Sequence, residues 1–400
     1  MGAYLSSNQS FTLEMLSAEH GDCLLISARG GSISTNIVVD CGPAGTYQRA
    51  LRAKLQALAS AGEAIDLLVV THVDNDHIQG AIEFLEENGT ASSPRIIEVR
   101  EVWHNSYRHL PTGQGGVPTA DQTSRVRAQC QWVKPNSQGL VGAKEGSSLA
   151  LLLQHFGYNW NGAFGGGPVV SGRSTSVGNL LIQVLSPSED ELEKLLYWWR
   201  KELVQMGVGY DAIASLEFET PFELRLCQRP EPEPEPARDI SFSGSTEVPA
   251  ENTFKPDKSK VNGSSIVLLV EFAGIKLLLL GDSPTGDLDK RWPISLPIAV
   301  RAVKVSHHGS RSNTAPSFLG QVKAQQFLIS ANGKNGHPHL DSLLRIVSSQ
   351  PECQLIFNYD TRQSQFLSSK EVIEKFKHST IVSDGNFQTS ISIDLAAKHT

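Results

Sequence analysis

The pattern of hydrophobic and polar positions begins with strands. Three segments rich in β-branched and apolar residues are separated by glycines and predict a β-meander: 11–16, 22–28 and 33–40. Leucines at helical spacing then predict a helix over 47–59. A continuous apolar run over 65–70 predicts a strand that is covered on both faces. A polar cluster and a helix that begins at Ile78 follow this strand.

Strands and helices continue to alternate along the rest of the chain. Further apolar segments predict strands at 96–103, 180–185, 265–272, 275–280 and 302–305. Two groups of strands, each followed by helices, predict an α/β fold in which two sheets pack face to face with helices outside, a four-layer αββα sandwich. We find no internal repeat, so we expect one domain over residues 1–400.

An insertion interrupts this pattern at 187–261, and we call this segment the excursion. Ser188 and Glu191 match a capping box and predict a helix. Apolar residues follow on one face of this amphipathic helix: Leu192, Leu195, Leu196, Trp199 and Leu203. The Pro/Glu-rich stretch 231–239 and the polar residues up to Lys260 lack the apolar side chains needed for ordering, so we expect a flexible linker there.

Composition and charge exclude some classes of protein. The 400 residues include 35 Lys and Arg and 42 Asp and Glu, which gives a net charge of −7 and disfavours a surface that coats nucleic acid or an anionic membrane. Five widely spaced cysteines without a CxxC pair predict neither a disulfide framework nor a cysteine zinc site. No apolar run approaches the about 20 residues of a membrane-spanning helix, so we expect a cytoplasmic protein without a membrane partner.

Six of the 12 histidines occur in three close pairs: His72 with His77, His307 with His308, and His337 with His339. The first pair lies in the segment Thr71-His-Val-Asp-Asn-Asp-His77, which follows a predicted buried strand. A solvated polar turn would also contain such residues. Two imidazoles and the carboxylates of Asp74 and Asp76 within one turn nevertheless favour a metal site.

These motifs resemble the metallo-β-lactamase superfamily, whose hallmark is HxHxDH after a buried strand. Residues 72–77 read HxDxDH instead, and this departure narrows the resemblance to the hydrolase domain of ComEC-type competence proteins. Further matching segments cover much of the chain: His20–Cys23, Asp40–Gly42, Asn262–Ser265, Gly281–Ser283, Lys304–Ser310 and Gly336–His339. The resemblance implies the αββα fold and a hydrolytic activity.

The resemblance also implies two divalent metal ions, with ligands assigned by position. The expected ligands are His72 and Asp74 for the first ion, Asp76, His77 and His337 for the second, and Asp282 as the bridge. The third ligand of the first ion stays open between His307, His308 and His104, of which we favour His307 or His308. The other member of that pair is then free for substrate or for proton transfer.

The donor types agree with such a centre. Two cations about 3.5–4 Å apart need several carboxylates to offset their charge, and solvent bound between them loses a proton near a pH of about 7. Asp74 makes the first site richer in oxygen than the superfamily hallmark does. We therefore expect Zn²⁺, with Mn²⁺ and Mg²⁺ as competitors.

Some residues near the motifs have two interpretations. Asp40 either orients a ligand imidazole or only opens a turn before Gly42. Ser310 and Lys304 are candidates to bind substrate phosphate, although a lysine on a strand is also typical of a solvated edge. We assign His20 to a turn rather than to the metal site.

The leading functional hypothesis is a metal-dependent hydrolase of phosphodiester bonds, a DNA or RNA nuclease. The bridging hydroxide would attack the phosphorus in line, and the expected catalytic residues are Asp76, Asp282, His307 and His308. Nucleic acid or a nucleotide is then the substrate, and a second copy of the chain or a defence-system protein is the kind of partner to consider.

Two alternatives belong to other classes. A small-molecule hydrolase acting on a cyclic nucleotide, a thioester or a lactam would use the same site, and an excursion that forms a lid would favour it. A non-catalytic interaction protein is the third hypothesis. The intact metal ligands, Asp76, His77, Asp282 and His337, argue against it.

Overall fold

Two β-sheets form the centre of the fold. The computed structural model describes residues 9–111, 143–205, 244–250, 253–386 and 390–395. Within these ranges the first sheet contains β1 (Gln9–Met15), β2 (Cys23–Gly30), β3 (Ile33–Cys41), β4 (Leu67–Val69), β5 (Val102–Trp103) and β14 (Ile391–Asp394). Its strand order is β14–β1–β2–β3–β4–β5. Strands β3, β4 and β5 run parallel, and the other neighbours run antiparallel.

The second sheet is larger in the described part of the chain. It contains β6 (Ser174–Val177), β7 (Leu180–Ser186), β8 (Val267–Phe272), β9 (Ile275–Leu279), β10 (Ile298–Lys304), β11 (Val322–Ile329), β12 (Gln354–Phe357) and β13 (Ser379–Val382). Its strand order is β13–β12–β11–β10–β9–β8–β7–β6. Strands β9 to β13 are parallel, and β6 to β9 form antiparallel hairpins or neighbours.

Helices flank both sheets. They are α1 (Arg52–Ser60), α2 (Asn75–Asn88), α3 (Ala143–His155), α4 (Glu189–Gln205), α5 (Lys260–Gly263), α6 (Leu288–Arg291), α7 (Pro316–Gln321), α8 (Leu340–Ser349), α9 (Arg362–Leu367) and α10 (Lys370–Phe376). A π-helical segment, Tyr47–Leu51, leads into α1. Short 3₁₀ segments lie at Tyr107–His109, Gly162–Phe164, Ser306–Gly309 and Lys334–Gly336.

Three hydrophobic clusters define the layers. One joins the facing sides of the sheets, with Phe11 and Ile26 from the first and Leu277 from the second. A second packs α1, α2 and α3 against the outer face of the first sheet, and a third packs α7 to α10 against the outer face of the second. Burial of apolar surface on both faces of each sheet stabilises this arrangement. The predicted αββα sandwich is confirmed.

Several element boundaries differ from the sequence prediction. The strand expected over 96–103 is regular only at its end, because its earlier part makes a single bridge between Val99 and Ile65. Strand β10 begins at Ile298, earlier than the predicted 302. The C-terminal strand β14 returns to pair with β1. Such pairing between distant segments has no local signal in the sequence.

The excursion is attached to the sandwich at both of its described ends. Ser188 and Glu191 form the predicted capping box, and the apolar face of α4 packs on Val73 and Val261. The expectation of a flexible linker up to Lys260 is wrong for the last residues before α5, since the Asp257 amide donates to the Ser312 carbonyl at 3.0 Å. Hydrogen bonds and the packing of Phe254 on the second-sheet cluster hold this segment. The stretch 231–239 and the Leu203 side chain lie outside the described residues.

Candidate metal centre

Loops from both sheets meet at one end of the sandwich. The segment 71–77 follows β4, Asp282 follows β9, and His307 and His308 follow β10. Strands β3 to β5 and β9 to β11 are parallel in their respective sheets. Because the carboxyl ends of parallel strands share one edge, polar residues from these loops are brought together there.

The first turn of α2 carries the central part of the motif. The helix begins at Asn75 rather than at the predicted Ile78, and the carbonyl of Asp74 accepts hydrogen bonds from the amides of both His77 and Ile78. Carboxylates are favoured at a helix N-terminus, so the motif itself starts the helix. This turn buries His77, whereas the side chains of Asp74 and Asp76 are 27 % and 22 % exposed.

Four imidazoles converge on the carboxylate of Asp282. Its Oδ1 lies 3.3 Å from Nε2 of His77. Its Oδ2 lies near three further Nε2 atoms, at 3.6 Å from His307, 3.7 Å from His308 and 3.9 Å from His72. The carboxylate is itself buried. It therefore occupies the central position that the sequence predicts for a bridging ligand.

The donor atoms of this centre lack ordinary hydrogen-bond partners. Among the residues that the structure describes, Nε2 of His72, His77 and His308 and Oδ1 of Asp282 are buried without a hydrogen bond. Leaving one such atom unsatisfied costs about 1–3 kcal/mol, so their convergence suits a ligand that all of them contact. Imidazole and carboxylate donors within 4.8 Å of one another suit a divalent cation. The residues present thus fit the predicted metal.

Asp40 orients both imidazoles of the 71–77 segment. Its Oδ2 lies 2.8 Å from Nδ1 of His77 and also accepts a hydrogen bond from the Thr71 hydroxyl at 2.8 Å. That hydroxyl lies 3.0 Å from Nδ1 of His72. With protons on both Nδ1 atoms, the Nε2 lone pairs are directed to the centre. The structure thus supports the orienting interpretation of Asp40.

The pair His307–His308 has a strained backbone and separate supports. Both residues have positive φ values, 48° and 54°, which are uncommon for residues other than glycine. Nδ1 of His308 lies 3.0 Å from the Ser330 carbonyl, and Nδ1 of His307 lies 3.1 Å from Oδ1 of Asn313. The strain turns two adjacent rings towards the same centre.

Charges at the centre shift the protonation of its groups. Burial alone would lower the pKa of His77, but Asp282, Asp40 and Asp76 outweigh it and raise that pKa. Burial likewise opposes ionisation of Asp282, yet the neighbouring imidazoles His307 and His77 hold its pKa well below the usual range. Protons and metal ions therefore compete for the same imidazole nitrogens, and metal binding would release protons from them.

Comparison with known families agrees with this geometry. Residues 18–130, which include the HxDxDH turn and Asp40, match the Metallo-beta-lactamase superfamily. The family model thus matches the part of the chain that carries the HxDxDH turn and Asp40. A curated relative, ComE operon protein 3 of Bacillus subtilis (strain 168), is 30 % identical over 121 residues. The alignment covers 28 % of this chain and only 16 % of that protein's length.

Two solved structures also match the chain, both at low sequence identity. The metallo-beta-lactamase fold protein YhfI from Bacillus subtilis is 10 % identical, covers 96 % of this chain and 99 % of its own, and has a TM-score of 0.37. Zn²⁺-bound PqqB from Methylobacterium extorquens is 9 % identical, covers 92 % of this chain and 88 % of its own, and has a TM-score of 0.34.

In the described part of the chain, no helix is both long and apolar enough to cross a membrane.

The contacts of His308 and His104 distinguish these two candidates for the third ligand of the first ion. Nε2 of His308 lies 3.2 Å from Oδ2 of Asp76, the carboxylate assigned to the second ion. Nε2 of His104 is buried without a partner among the described residues. Burial and the nearby charge of His72 lower the pKa of His104 to about 4, although its Nδ1 bond to the Val70 carbonyl opposes this shift. His104 is therefore a neutral imidazole near the first ion's ligands.

His337 lies beside this cluster rather than against Asp282. Its ring centroid is 4.8 Å from that of His307 and 6.2 Å from that of His308. Burial and the charges of these two neighbours lower its pKa to about 2. A neutral imidazole suits a metal ligand, and the assignment of His337 to the second ion stays a prediction.

Of the two predicted phosphate-binding residues, Lys304 is not placed as expected. Lys304 is 1 % exposed and forms an ion pair with Asp22, with Nζ 2.7 Å from Oδ2. Both a solvated edge and a lysine facing phosphate are therefore wrong, because the ammonium is turned into the protein. The Ser310 hydroxyl accepts a hydrogen bond from the Ser312 amide at 3.4 Å, and its phosphate contact stays a prediction.

Sequence reasoning missed the residues that support the second-sheet histidines. Oδ1 of Asp22 lies 3.3 Å from Nδ1 of His308, and Oδ2 of Asp257 lies 3.6 Å from Nδ1 of His307. Asp22 occurs in the matched segment His20–Cys23, which offered a signal. Asp257 lies in the excursion, where the polar composition suggested only a linker. The sequence assigns His20 to a turn. In the structure, burial lowers the pKa of His20, and the nearby charge of Asp76 opposes this shift.

Proposed function

We propose that this chain is a metal-dependent hydrolase of phosphodiester bonds that acts on DNA or RNA. The observation that carries the proposal is the convergence of buried, unpartnered imidazole nitrogens on Asp282 within the described structure. The partly exposed carboxylates of Asp74 and Asp76 lie next to them. A substrate can approach the centre from that exposed side.

The side chains suit two neighbouring ions. The proposed ligands are His72, Asp74 and His104 for the first ion, Asp76, His77 and His308 for the second, and Asp282 for both. We propose His308 rather than His337 for the second ion, because Nε2 of His308 lies 3.2 Å from Oδ2 of Asp76. Bound divalent ions would supply Lewis acidity towards phosphoryl oxygens and lower the pKa of coordinated water to about 7. The carboxylates offset the charge of these ions, and Asp40 keeps the imidazoles of the first-sheet loop in the required orientation.

His307 is the group that we assign to the leaving oxygen. Its side chain is 26 % exposed, unlike the fully buried His77. Nδ1 faces Asn313 and Asp257, so Nε2 is the atom directed to the centre. Burial opposes its protonation, but Asp282 and Asp257 raise its pKa above the ordinary value. An imidazole that holds a proton near neutral pH can donate it to a departing alkoxide.

Two features support a phosphodiester as the substrate. The HxDxDH sequence resembles the hydrolase domain of ComEC-type competence proteins, which is consistent with a nucleic-acid substrate. An oxygen-rich ligand set also suits Mn²⁺ or Mg²⁺ as well as Zn²⁺, and these ions bind phosphate oxygens readily. Nucleic acid would meet a local site rather than a basic surface, since the net charge is −7.

The decisive experiment combines metal analysis with cleavage assays. Protein purified without chelator is analysed by elemental mass spectrometry and incubated with single- and double-stranded DNA, RNA and bis-p-nitrophenyl phosphate. We expect about two equivalents of metal, polymer cleavage, and loss of both in Asp76→Ala and Asp282→Ala. Asp190→Ala, whose carboxylate is 75 % exposed on α4, is the matched control and should behave as wild type. Bound metal without polymer cleavage contradicts the nuclease proposal.

A small-molecule hydrolase is the second candidate, and the excursion favours it. Helix α4 packs on Val73 inside the metal motif, and Asp257 approaches His307 from the other described end of the excursion. A site flanked on two sides admits a small ester more easily than a polymer. Cleavage of bis-p-nitrophenyl phosphate or a cyclic nucleotide, with intact DNA and RNA, would support this candidate instead.

A further inference from the structure

The burial of Lys304 requires an explanation. The residue ends β10, and its side chain is 1 % exposed. Nζ lies 2.7 Å from Oδ2 of Asp22 and donates to the Val305 carbonyl at 3.0 Å. Lysines are almost never fully buried unless they are paired. A buried ion pair is weak evidence for stability, because desolvation of both charges offsets their attraction. Its position next to the metal centre suggests another role.

The second oxygen of Asp22 faces a proposed metal ligand. Oδ1 lies 3.3 Å from Nδ1 of His308, and the same nitrogen lies 3.0 Å from the carbonyl oxygen of Ser330. Two acceptors on this side keep the ring proton on Nδ1. The lone pair of Nε2 is then directed towards Asp76, whose Oδ2 is 3.2 Å away. The charge of Asp22 thus acts on His308 from the side opposite to the metal centre.

The loop that carries Asp22 is fixed against both halves of the site. A Cβ atom at Gly21 would lie 1.9 Å from the carbonyl oxygen of Asp76, so only glycine permits this approach. The Asp22 amide donates to the same Asp76 carbonyl at 3.3 Å. On the other side, the Ser330 hydroxyl donates to the Gly21 carbonyl at 2.6 Å. Asp22 therefore has a defined position between the metal motif and the second sheet.

We propose that the buried Asp22–Lys304 pair is a positioning device for His308 and thereby sets the affinity of the site for metal. The ammonium holds the carboxylate in place and offsets its charge, so that the carboxylate orients the imidazole without adding a further full negative charge to the site. Carboxylates behind ligand imidazoles typically change metal affinity by about 10–100-fold. The inference rests on the proposed metal site, but it does not depend on the identity of the substrate.

A double-variant comparison tests this role in the full chain. Binding of Zn²⁺ and of Mn²⁺ is measured by competition with a chromophoric chelator, and stability is measured as the urea midpoint of unfolding. Asp22→Asn should lower the midpoint, because Lys304 is left unpaired, and should weaken one metal equivalent by about 10–100-fold. Asp22→Asn/Lys304→Met should recover the midpoint but not the affinity. Recovery of both the midpoint and the metal affinity would overturn the inference. Asp22 and Lys304 would then only neutralise each other's charge.

Asp66 offers a matched control. Its buried carboxylate accepts a hydrogen bond from the Asn36 amide at 2.8 Å and pairs with Arg100, but it contacts none of the proposed ligands in the described structure. Asp66→Asn should lower the midpoint and leave both metal affinities unchanged. If the wild-type protein binds metal and the double variant binds it with equal affinity, only this inference is contradicted. A wild-type protein that binds no metal contradicts the proposed function as well.

Discussion

The two halves of the metal centre are built in different ways. In the first-sheet half, all the proposed donors except His104 lie within the segment 71–77, and Asp40 from the neighbouring strand β3 forms hydrogen bonds of 2.8 Å with Thr71 and His77. In the second-sheet half, the donors Asp282 and His308 come from separate loops. Asp22 approaches His308 at 3.3 Å, and Asp257 approaches the neighbouring non-ligand His307 at 3.6 Å. The first half is thus a compact local motif, whereas the second depends on distant segments.

This difference has a structural origin. Strands β3 and β4 are parallel neighbours, so Asp40 and the 71–77 loop share one sheet edge. The second half needs the β1–β2 loop, which belongs to the first sheet, and a segment of the excursion. Long-range contacts of this kind lose more chain entropy when they form. We therefore expect the first half to tolerate fewer local changes and the second half to respond to changes far from the donors.

The largest expected effect on stability is that of Trp199→Ala. The indole is fully buried against Val73, and a Cβ atom at Gly146 would lie 2.6 Å from the ring. Removal of a buried indole leaves a cavity and should lower the free energy of unfolding by about 3–5 kcal/mol. Urea unfolding followed by circular dichroism measures this loss. A loss of this size would show that the stability of the first half depends on the contact between Trp199 of the excursion and Val73.

Tyr197→Ala is the control for that experiment. Tyr197 belongs to the same helix but is 65 % exposed, so its removal should change the free energy of unfolding by less than about 0.5 kcal/mol. Equal effects of the two variants would show that α4 does not pack on the metal motif. The first half would then be stable without α4, and the two halves would differ more in their dependence on distant segments than the structure indicates.

The same contrast explains what the sequence could predict. The HxDxDH turn, the approach of His307 and His308 to it and the central position of Asp282 follow motifs that can be read in order along the chain. The two-sheet architecture also follows from the alternation of apolar strands and helices. The role of Asp40 stays open in the sequence, because an aspartate near a glycine can open a turn or orient an imidazole.

Other features depend on packing that has no local pattern. Lys304 resembles a solvated strand residue in sequence, and only the approach of Asp22 from the other sheet explains its burial. Asp257 lies among polar residues that predict a linker, yet hydrogen bonds from Asn262 and Asn313 at 2.7 and 3.0 Å hold its carboxylate. Helix α2 also begins earlier than the apolar pattern predicts, because the motif aspartates rather than the apolar residues determine its start.

Metal affinity should distinguish the supports of the two halves. Asp40→Asn replaces the acceptor of the His77 Nδ1 proton and should weaken metal binding by about 10–100-fold. Asp257→Asn should weaken it by less than about tenfold, since Asp257 faces His307 at 3.6 Å and His307 is not one of the proposed ligands. Chelator competition measures both affinities. A larger loss of metal affinity in Asp257→Asn than in Asp40→Asn would show that the second half, not the first, contributes more to metal binding.

Turnover adds a second measurement for the same pair of variants. If His307 donates a proton to the leaving group, Asp257→Asn should lower kcat more than it lowers metal affinity. Asp40→Asn should lower both together, because Asp40 acts only through ligand imidazoles. A loss of kcat in Asp257→Asn that saturating metal restores completely would contradict the assignment of His307.

The smallest effect is expected from thiol labelling, which compares the rigidity of the two halves. Burial raises the pKa of Cys353 to about 12 and also raises the pKa of Cys23 and Cys41, with Asp40 adding to both shifts in the first half. At pH 8 all three thiols are therefore protonated and inaccessible, and iodoacetamide should leave them unmodified in the native protein but modify them in urea. Peptide mapping by mass spectrometry measures each site, and glutathione serves as the reactive control. Labelling of Cys353 before Cys23 and Cys41 would indicate that the second sheet opens more readily, as expected if distant contacts hold that half, whereas equal protection would limit the difference between the halves to their side chains.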